Sequence, residues 1–400
     1  MNPRILLLAL GNFSVGTGMY AFLGVLGALA TDLTVPVGRA GQLATAFAIT
    51  FALTAPMLVP ATRRLGAKNV LLASLLGFGL LNLLGGLAPR FSLLFSTRIV
   101  GAICASVFAP VAGAVATTMV APEDRGKALA AVVSGMVIAF AAGIPLGTFL
   151  GGAFGWRATF VFAAVCNVIG AIAIGAGIPA TGAPPPQKAS FAFLRRWAVL
   201  SNLVMVMIAF AGVFMTISYV GPLLGALTGF RESGIGALQI SVGFGGALGT
   251  VAGGLLADRR PTASTLAAAF ALCALSFLPF SVIPTVTTAG STLSILGCAG
   301  ALFFGSTAAF SLVPILQFRV VREAQHEAPT ALAFYFAFFY FGQGVGAAIG
   351  GIVVEASGLE GLGTASAICM AIGALGAATL APDRAPSPAD VNVSPGAAHR

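Results

Sequence analysis

The chain has 400 residues, of which 58% are hydrophobic and only 8% are charged. A soluble domain carries about 25% charged residues, so this composition excludes an ordinary soluble protein. The formal net charge of +9 could suggest a nucleic-acid partner, but the basic residues stand between apolar runs. That arrangement follows the positive-inside rule of membrane proteins, and we expect no nucleic-acid binding.

Twelve apolar runs of about 20 residues follow one another along the chain, and about 20 apolar residues cross a bilayer core as a helix. The sequence therefore predicts twelve transmembrane helices, called spans 1 to 12 in chain order. The first run is longer than the apolar core of a signal peptide, so span 1 is expected to be retained. The predicted ranges are 5–30, 41–61, 70–88, 92–119, 129–151, 158–179, 198–222, 235–256, 263–284, 289–316, 330–354 and 361–380.

The basic residues divide unequally between the two sides of the predicted bundle. Fifteen of the 20 Lys and Arg residues fall in the loops and tails on the side of the termini. Only Arg39, Arg90, Arg157 and Arg231 fall on the other side, and Arg98 lies within span 4. Because cytoplasmic loops are enriched in Lys and Arg, we expect both termini to be cytoplasmic in a multi-pass protein of a bacterial inner membrane.

A polar stretch containing three consecutive prolines, Pro184 to Pro186, separates spans 1–6 from spans 7–12. Three prolines cannot continue a helix and favour an extended linker. The resulting prediction is an N-terminal six-helix bundle at 1–180, a cytoplasmic linker at 181–197, a C-terminal six-helix bundle at 198–381 and a disordered cytoplasmic tail at 382–400.

The two predicted halves repeat parts of one another. Tyr20 and Tyr219 are 199 residues apart, and the Gly-rich runs at 143–152 and 342–351 share the same offset. Repeated halves with a substrate site between them are a common transporter design. The repeat therefore indicates a transporter.

The sequence predicts no metal site and no cofactor. The five cysteines lie in apolar runs without a CxxC pair, and neither His326 nor His399 lies within a span. No GxxxxGK[ST] loop occurs, so ATP is not the energy source within this chain. We expect a monomer whose partners are a small-molecule substrate, protons and the lipid bilayer. We do not expect an enzyme, since no cluster of catalytic side chains lies in the spans.

Short motifs occur in order along these spans. They are Gly16-Thr17-Gly18 and Asp32-Leu33 in span 1, Ala40-Gly41-Gln42-Leu43 in span 2, Leu94 to Gly101 around Arg98 in span 4, Gly143-Ile144-Pro145-Leu146-Gly147-Thr148 in span 5, Gly155-Trp156-Arg157 with Phe160 after span 5, and Gly253 to Arg260 after span 8.

With these motifs the chain, from about Leu6 to Leu380, resembles the major facilitator superfamily, and within it the twelve-span drug-efflux branch of arabinose-efflux-like and chloramphenicol-efflux-like permeases. The resemblance implies an all-α membrane protein of twelve helices in two pseudo-symmetric six-helix halves. It also implies multidrug-type efflux by antiport. Two positions depart from the family pattern: Arg63 stands where Asp is common, and Ala105 stands where relatives often carry His.

Charged residues near the spans are candidates for proton coupling. Arg98 lies roughly 10 Å into span 4, at about 1.5 Å per residue. It either faces the bundle interior, where it attracts an anionic or carbonyl-bearing substrate or holds a carboxylate, or extends its guanidinium to the surface. Asp32 is the acid nearest the first-half cavity and is a candidate for the coupling proton, or else a surface carboxylate. Glu355, at the outer end of span 11, is a rival for that role.

Two further groups are predicted to control access. Gly143, Pro145, Gly147, Gly151 and Gly152 suit a kinked helix that packs closely, and the resemblance implies a seal against proton leak; an ordinary packing face is the alternative. The inner gate loops are expected to contain Arg63, Arg64, Lys68, Asp258, Arg259 and Arg260. The arginines of these loops also help to set the orientation of the chain in the membrane, and that role alone would explain their presence.

The candidate cavity lining consists of polar or aromatic residues of spans 1, 4, 7, 10 and 11, although packing and lipid contact are alternatives for most of them. They are Asn12, Tyr20, Tyr219, Phe304, Tyr335, Tyr340 and Gln343. No acid lies at mid-membrane in the predicted spans, which favours neutral or anionic amphipathic substrates over cationic ones.

The sequence thus predicts a secondary active transporter that exports a drug or metabolite by proton antiport with alternating access. Within transport, the alternatives are a sugar or purine efflux permease and a proton-independent uniporter. Outside transport, the alternative is a transporter-like membrane sensor.

Overall fold

The computed structural model describes residues 3–121, 124–179, 192–258, 262–324 and 328–380. Within them, twelve helices are long and apolar enough to cross a membrane. They are α1 Pro3–Asp32, α2 Val37–Val59, α3 Ala67–Gly86, α4 Phe91–Thr118, α5 Arg125–Phe154, α6 Trp156–Gly177, α7 Trp197–Ile217, α8 Glu232–Ala257, α9 Ala263–Val286, α10 Thr292–Ala324, α11 Thr330–Ser357 and α12 Gly361–Thr379. The twelve predicted spans are confirmed one by one.

Helices α1–α6 form the first half of the bundle and α7–α12 form the second. We call the end at which α1 begins and α12 ends the terminal face, and the opposite end, where α1 leads into α2, the loop face. Most of the predicted linker and the whole of the predicted tail lie outside the described residues, and so do Arg259 and Arg260.

Three of the first-half helices are interrupted: α4 by a turn at 106–107, and α1 and α5 near the middle of the bundle. In α1 a regular segment, Pro3–Tyr20, gives way to a 3₁₀ turn at Ala21–Val25 before Leu26–Asp32 completes the span. In α5 one π-helical turn, Ala139–Gly143, precedes Pro145. Proline lacks an N–H and crowds the preceding turn, which accounts for the irregular hydrogen bonding there. Within a membrane such breaks persist only where protein groups satisfy the freed backbone atoms.

The second half is packed through stripes of glycine. Gly245, Gly249 and Gly253 in α8 leave no room for a Cβ atom against backbone carbonyls of α10. The glycines at 342, 346 and 350 in α11 meet backbone carbonyls of α7 in the same way. Small residues spaced four apart let helix backbones approach closely in lipid. The glycine-rich composition therefore has a direct use in this half.

Candidate functional site

The two halves meet along two helix pairs, α2 with α11 and α5 with α8. On the first side, Gly38 packs against Glu355 near the loop face, and the rings of Phe51 and Tyr340 are 4.0 Å apart nearer the middle. On the second side, Gly152 packs against Glu232. These contacts run from the loop face to mid-bundle. We call this contact zone the seam.

Two buried hydrogen bonds join the halves across the seam, and the hydroxyl of Tyr219 lies within reach of a carbonyl in each half. Tyr20 Oη donates to Gln343 Oε1 at 2.9 Å, and Thr148 Oγ1 lies 2.8 Å from Gln239 Oε1. Tyr219 Oη is 2.9 Å from Ala347 O in its own half and 3.3 Å from Gly38 O in the other. The bonds from Tyr20 and from Thr148 have to break if the halves separate at the loop face.

A cavity of about 80 Å³ lies beside the seam. Helices α1 and α5 of the first half contribute Leu23, Phe140 and Ile144 to its wall. The second half contributes the rest, including the rings of Phe214 and Phe310. Among the described lining residues, only Gln239 and Ser306 have polar side chains and none is charged. The cavity therefore suits an uncharged apolar group.

Arg98 is buried, with 2% of its surface exposed, and its guanidinium points to the break in α1. Its Nη1 and Nη2 atoms donate to the carbonyls of Gly18 and Met19, both at 2.9 Å. The guanidinium carbon lies 4.8 Å from the ring centre of Phe22 and 4.4 Å from that of Phe47. The carbonyls in the last turn of a helical segment lack α-helical partners, so Arg98 satisfies two of them.

This geometry bears on the role expected for Arg98. The residue faces the interior, not the bilayer surface, but it is not among the residues that line the cavity. Two of its nitrogens are already bound to protein carbonyls, while its buried Nε has no hydrogen-bond partner in the described residues. Arg98 thus holds the broken helix together beside the cavity.

Asp32 lies at the loop face, in an exposed cluster with the start of α6. Its Oδ2 accepts hydrogen bonds from Trp156 Nε1 at 3.0 Å and from Arg157 Nη1 at 2.6 Å. Gly155, whose φ of 86° suits glycine, lets α6 begin directly after α5 and so brings both donors there. Thirteen residues of α1 separate Met19 from Asp32, which is on the order of 20 Å. The structure does not bring Asp32 and Arg98 together.

Two acids of the second half stand at the seam itself. Glu355 is exposed near the end of α11 and packs against Gly38, and Glu232 begins α8 and packs against Gly152. Separation of the halves at the loop face would change the surroundings of both carboxylates.

The glycine run of α5 packs mainly on the interrupted part of α1. Gly143 faces the Thr17 side chain, Gly147 faces Ala21, and Gly151 faces Val25. Gly152, at the end of the run, instead meets Glu232 across the seam. The run is therefore both a packing face within the first half and part of the contact between halves.

The predicted gate loops are only partly described. Arg64 is exposed in a 3₁₀ turn, and Lys68 Nζ donates to Gly175 O at 2.7 Å, which ties the start of α3 to α6. The side chains of Arg63 and Asp258 lie outside the described residues.

The seven cavity candidates separate into three groups. Tyr20, Tyr219, Tyr340 and Gln343 lie at the seam, as described above. Asn12 is buried within the first half, where its Nδ2 donates to Val132 O at 3.0 Å, and Tyr335 Oη donates to Val313 O at 3.4 Å within the second half. Phe304 is 59% exposed on the outer surface of α10 and does not line the cavity.

Sequence reasoning missed two buried polar residues. Arg319 was predicted to lie in a loop after span 10, but α10 continues to Ala324 and leaves Arg319 only 1% exposed, with its Nε donating to Asn202 Oδ1 at 3.0 Å. Gln239, a polar residue of the cavity wall, lies in span 8 and was not among the sequence candidates. Its position as an isolated amide in the apolar run Ala237-Leu238-Gln239-Ile240 was the available signal.

Comparison with known proteins decides the family. The model of the Major Facilitator Superfamily matches residues 8–328. The chain belongs to the Major Facilitator Superfamily. This major facilitator protein is 29% identical to the MFS-type transporter YtbD of Bacillus subtilis (strain 168), over 89% of the chain and 90% of that protein. It is 30% identical to a chloramphenicol resistance protein of Streptomyces lividans, over 82% and 83% of the two chains.

A solved structure supports the fold. The crystal structure of a bacterial homologue of the human lysosomal transporter Spinster, inward-facing and unoccupied, superposes with a TM-score of 0.72 at 16% identity. The match covers 95% of this chain and 98% of that one. The predicted membership and the predicted fold of twelve helices in two halves are both confirmed, and the chain is a multi-pass membrane transporter with a small-molecule substrate.

Proposed function

We propose that this major facilitator transporter exports small amphipathic compounds, with neutral ones preferred, by proton antiport through alternating access. We also propose that it lies in a bacterial inner membrane with its terminal face in the cytoplasm. The observation that carries the proposal is the uncharged apolar cavity beside a seam that is closed toward the loop face. In this orientation the closed side faces outward.

The substrate preference follows from the charges around the cavity. A charged compound would lose its hydration there without gaining a counter-charge, which is costly in a low-dielectric site. The Arg98 guanidinium donates to the carbonyls of Gly18 and Met19. Because two of its nitrogens are already bound to the protein, Arg98 gives less support to anionic substrates. The name of the Streptomyces lividans relative, a chloramphenicol resistance protein, supports drug efflux as the direction.

For the proton, we propose Glu355 as the carrier, with Asp32 as the alternative. Glu355 stands where the two halves close on each other, so its surroundings change with the state of the seam. Asp32 is held by Arg157 and Trp156 at the loop face, and a carboxylate with two such donors resists protonation. Antiport needs an acid whose surroundings differ between the two states of the cycle, and the position of Glu355 at the seam supports that role.

The test uses inside-out vesicles with an imposed proton gradient and a pH-sensitive dye. We expect neutral apolar compounds to release protons and to accumulate, and the Glu355→Gln variant to lose the proton signal. The matched control is Glu360→Gln, which changes an exposed acid in the next loop, away from the seam. Accumulation without proton movement in the wild type would contradict antiport and leave a uniporter. Loss of coupling in Asp32→Asn alone would move the proton to Asp32.

A further inference from the structure

The side chain of Gln239 lines the cavity and leaves its amide nitrogen without a hydrogen-bond partner in the described residues. Gln239 is 2% exposed, and its Oε1 is bound to Thr148 across the seam. Its buried Nε2 has no hydrogen-bond partner in the described residues. Buried polar groups are nearly always paired in native proteins. The free amide hydrogens therefore indicate that a partner arrives from the cavity.

Among the described residues of the cavity wall, no neighbouring group competes for this role. The other polar lining residue, Ser306, already donates to Phe303 O at 3.0 Å. The rest of the described wall is apolar and rich in phenyl rings, among them Phe140, Phe214 and Phe310. Flat aromatic compounds pack well on such rings. The site thus offers a large apolar surface and one hydrogen-bond donor.

We infer that Gln239 recognises the substrate, by donating a hydrogen bond from Nε2 to an acceptor oxygen of an otherwise apolar, uncharged aromatic compound. The inference rests on the proposed function, because it takes the cavity to be the transport site, and it specifies the substrate class. Since no charged residue lines the cavity in the described part of the chain, a carbonyl oxygen suits the site better than a carboxylate.

The position of Gln239 also relates the size of the cavity to the movement of the two halves. The present volume of about 80 Å³ holds only a few heavy atoms. Because α8 and α5 belong to different halves, their separation widens the cavity at Gln239 itself. The bond to Thr148 holds the amide until then, so that Nε2 is oriented before the substrate binds.

The orientation of the Gln239 amide depends on which oxygen accepts the hydrogen of the Thr148 hydroxyl. Thr148 Oγ1 also lies 2.9 Å from Ile144 O, and a hydroxyl has a single hydrogen to donate. If that hydrogen goes to Ile144, the Gln239 amide is reversed and presents Oε1 to the cavity. A reversed amide would favour a substrate that donates a hydrogen bond instead of one that accepts it.

The test compares three flat tricyclic compounds of nearly equal shape. Fluorene has no polar atom, fluorenone has one acceptor oxygen, and carbazole has one N–H donor. Saturable binding of each is measured to the full-length protein in lipid nanodiscs, with empty nanodiscs subtracted. We expect fluorenone to bind about 2- to 12-fold more tightly than fluorene, the range for one neutral hydrogen bond, and carbazole to bind no more tightly than fluorene.

Two variants separate recognition from folding. Gln239→Leu should abolish the preference for fluorenone while it keeps fluorene binding, which also shows that the variant is folded. Asn167→Leu is the matched control, since it removes a buried amide of α6 that lies away from the cavity. It should keep the preference.

The other outcomes of the binding measurement overturn the inference. It fails if the wild type binds none of the compounds, if fluorenone has no advantage, or if the advantage survives Gln239→Leu. A carbazole preference lost in Gln239→Leu would overturn the acceptor assignment in favour of a donor. A Gln239-dependent preference without transport in vesicles would support this inference and contradict the proposed export. Transport in vesicles without the Gln239-dependent preference would support the proposed export and contradict this inference.

Discussion

Among the described residues, each half of the bundle buries one arginine, and the two halves stabilise it in different ways. In the first half, Arg98 donates to two backbone carbonyls at a helix break and lies against two phenyl rings. In the second half, Arg319 donates to the side chain of Asn202 on α7. The first arginine supports an irregular backbone, and the second connects two regular helices. A buried charge therefore has a different structural consequence in each half.

Loss of Arg98 should produce the largest effect. Arg98→Met leaves the Gly18 and Met19 carbonyls without their charged donor, and hydrogen bonds to charged groups contribute about 1.5–3 kcal/mol each. We expect a loss of about 3 kcal/mol or more in the free energy of unfolding, measured by SDS titration in mixed micelles. Arg98→Lys should recover only part of it, because a point charge cannot bond both carbonyls as a planar fork does. Full stability in Arg98→Met would contradict the role in the α1 break.

Loss of Arg319 should produce the next effect, because it removes the donor that Arg319 Nε provides to the Asn202 side chain, which can reorient. We expect Arg319→Met to cost about 1–3 kcal/mol in the same titration. A double-mutant cycle with Asn202→Leu should give a coupling energy of about 0.5–3 kcal/mol. The control cycle pairs Asn202→Leu with Arg98→Met, two sites without a shared partner, and should be additive. Additivity in both cycles would show that Arg319 acts independently of Asn202.

The same comparison shows what the sequence could predict. Arg98 stands out because apolar residues flank it on both sides for most of a span. Arg319 follows Pro314 by five residues and precedes Arg322 and Glu323, so local hydropathy and the positive-inside rule assign it to a loop. Only the packing of α10 on α7 extends the helix and buries the guanidinium. A window of hydropathy cannot detect a charge that a neighbouring helix satisfies.

The contacts between helices could not be predicted from the sequence, for a related reason. Asp32 and the Gly155-Trp156-Arg157 motif were both noted as motifs, yet their meeting depends on the end of α1 reaching the start of α6. The role of Gln239 at the seam depends on its contact with Thr148, which lies 91 residues earlier in the other half. Hydropathy predicts which segments cross the membrane, whereas the partners across the seam follow from tertiary packing.

The two tyrosines at equivalent positions of the halves provide the next test. Tyr20→Phe removes the bond to Gln343, and Tyr219→Phe removes the bond to Ala347 or Gly38. One neutral hydrogen bond of about 1 kcal/mol changes a two-state population about 5-fold. We expect the Tyr20 variant to open the seam more, since its bond joins the halves directly. The measurement is the labelling rate, from the loop-face side, of Val220→Cys in a cysteine-free background. Equal rates in both variants would contradict this order.

The smallest effect is expected at the exposed ion pair of Asp32 and Arg157, whose side chains are 47% and 44% exposed. Exposed pairs contribute little, because water screens them and two mobile side chains must be ordered. Asp32→Asn keeps an oxygen that can accept from Trp156 Nε1, so only the charge attraction is lost. We therefore expect a small drop in thermal stability at low salt that disappears at high salt, as screening predicts. Arg157→Gln, which removes the other charge, should behave alike. A large salt-independent loss in Asp32→Asn would mean that the carboxylate acts beyond this pair, and would return Asp32 to the position we give Glu355 in proton coupling.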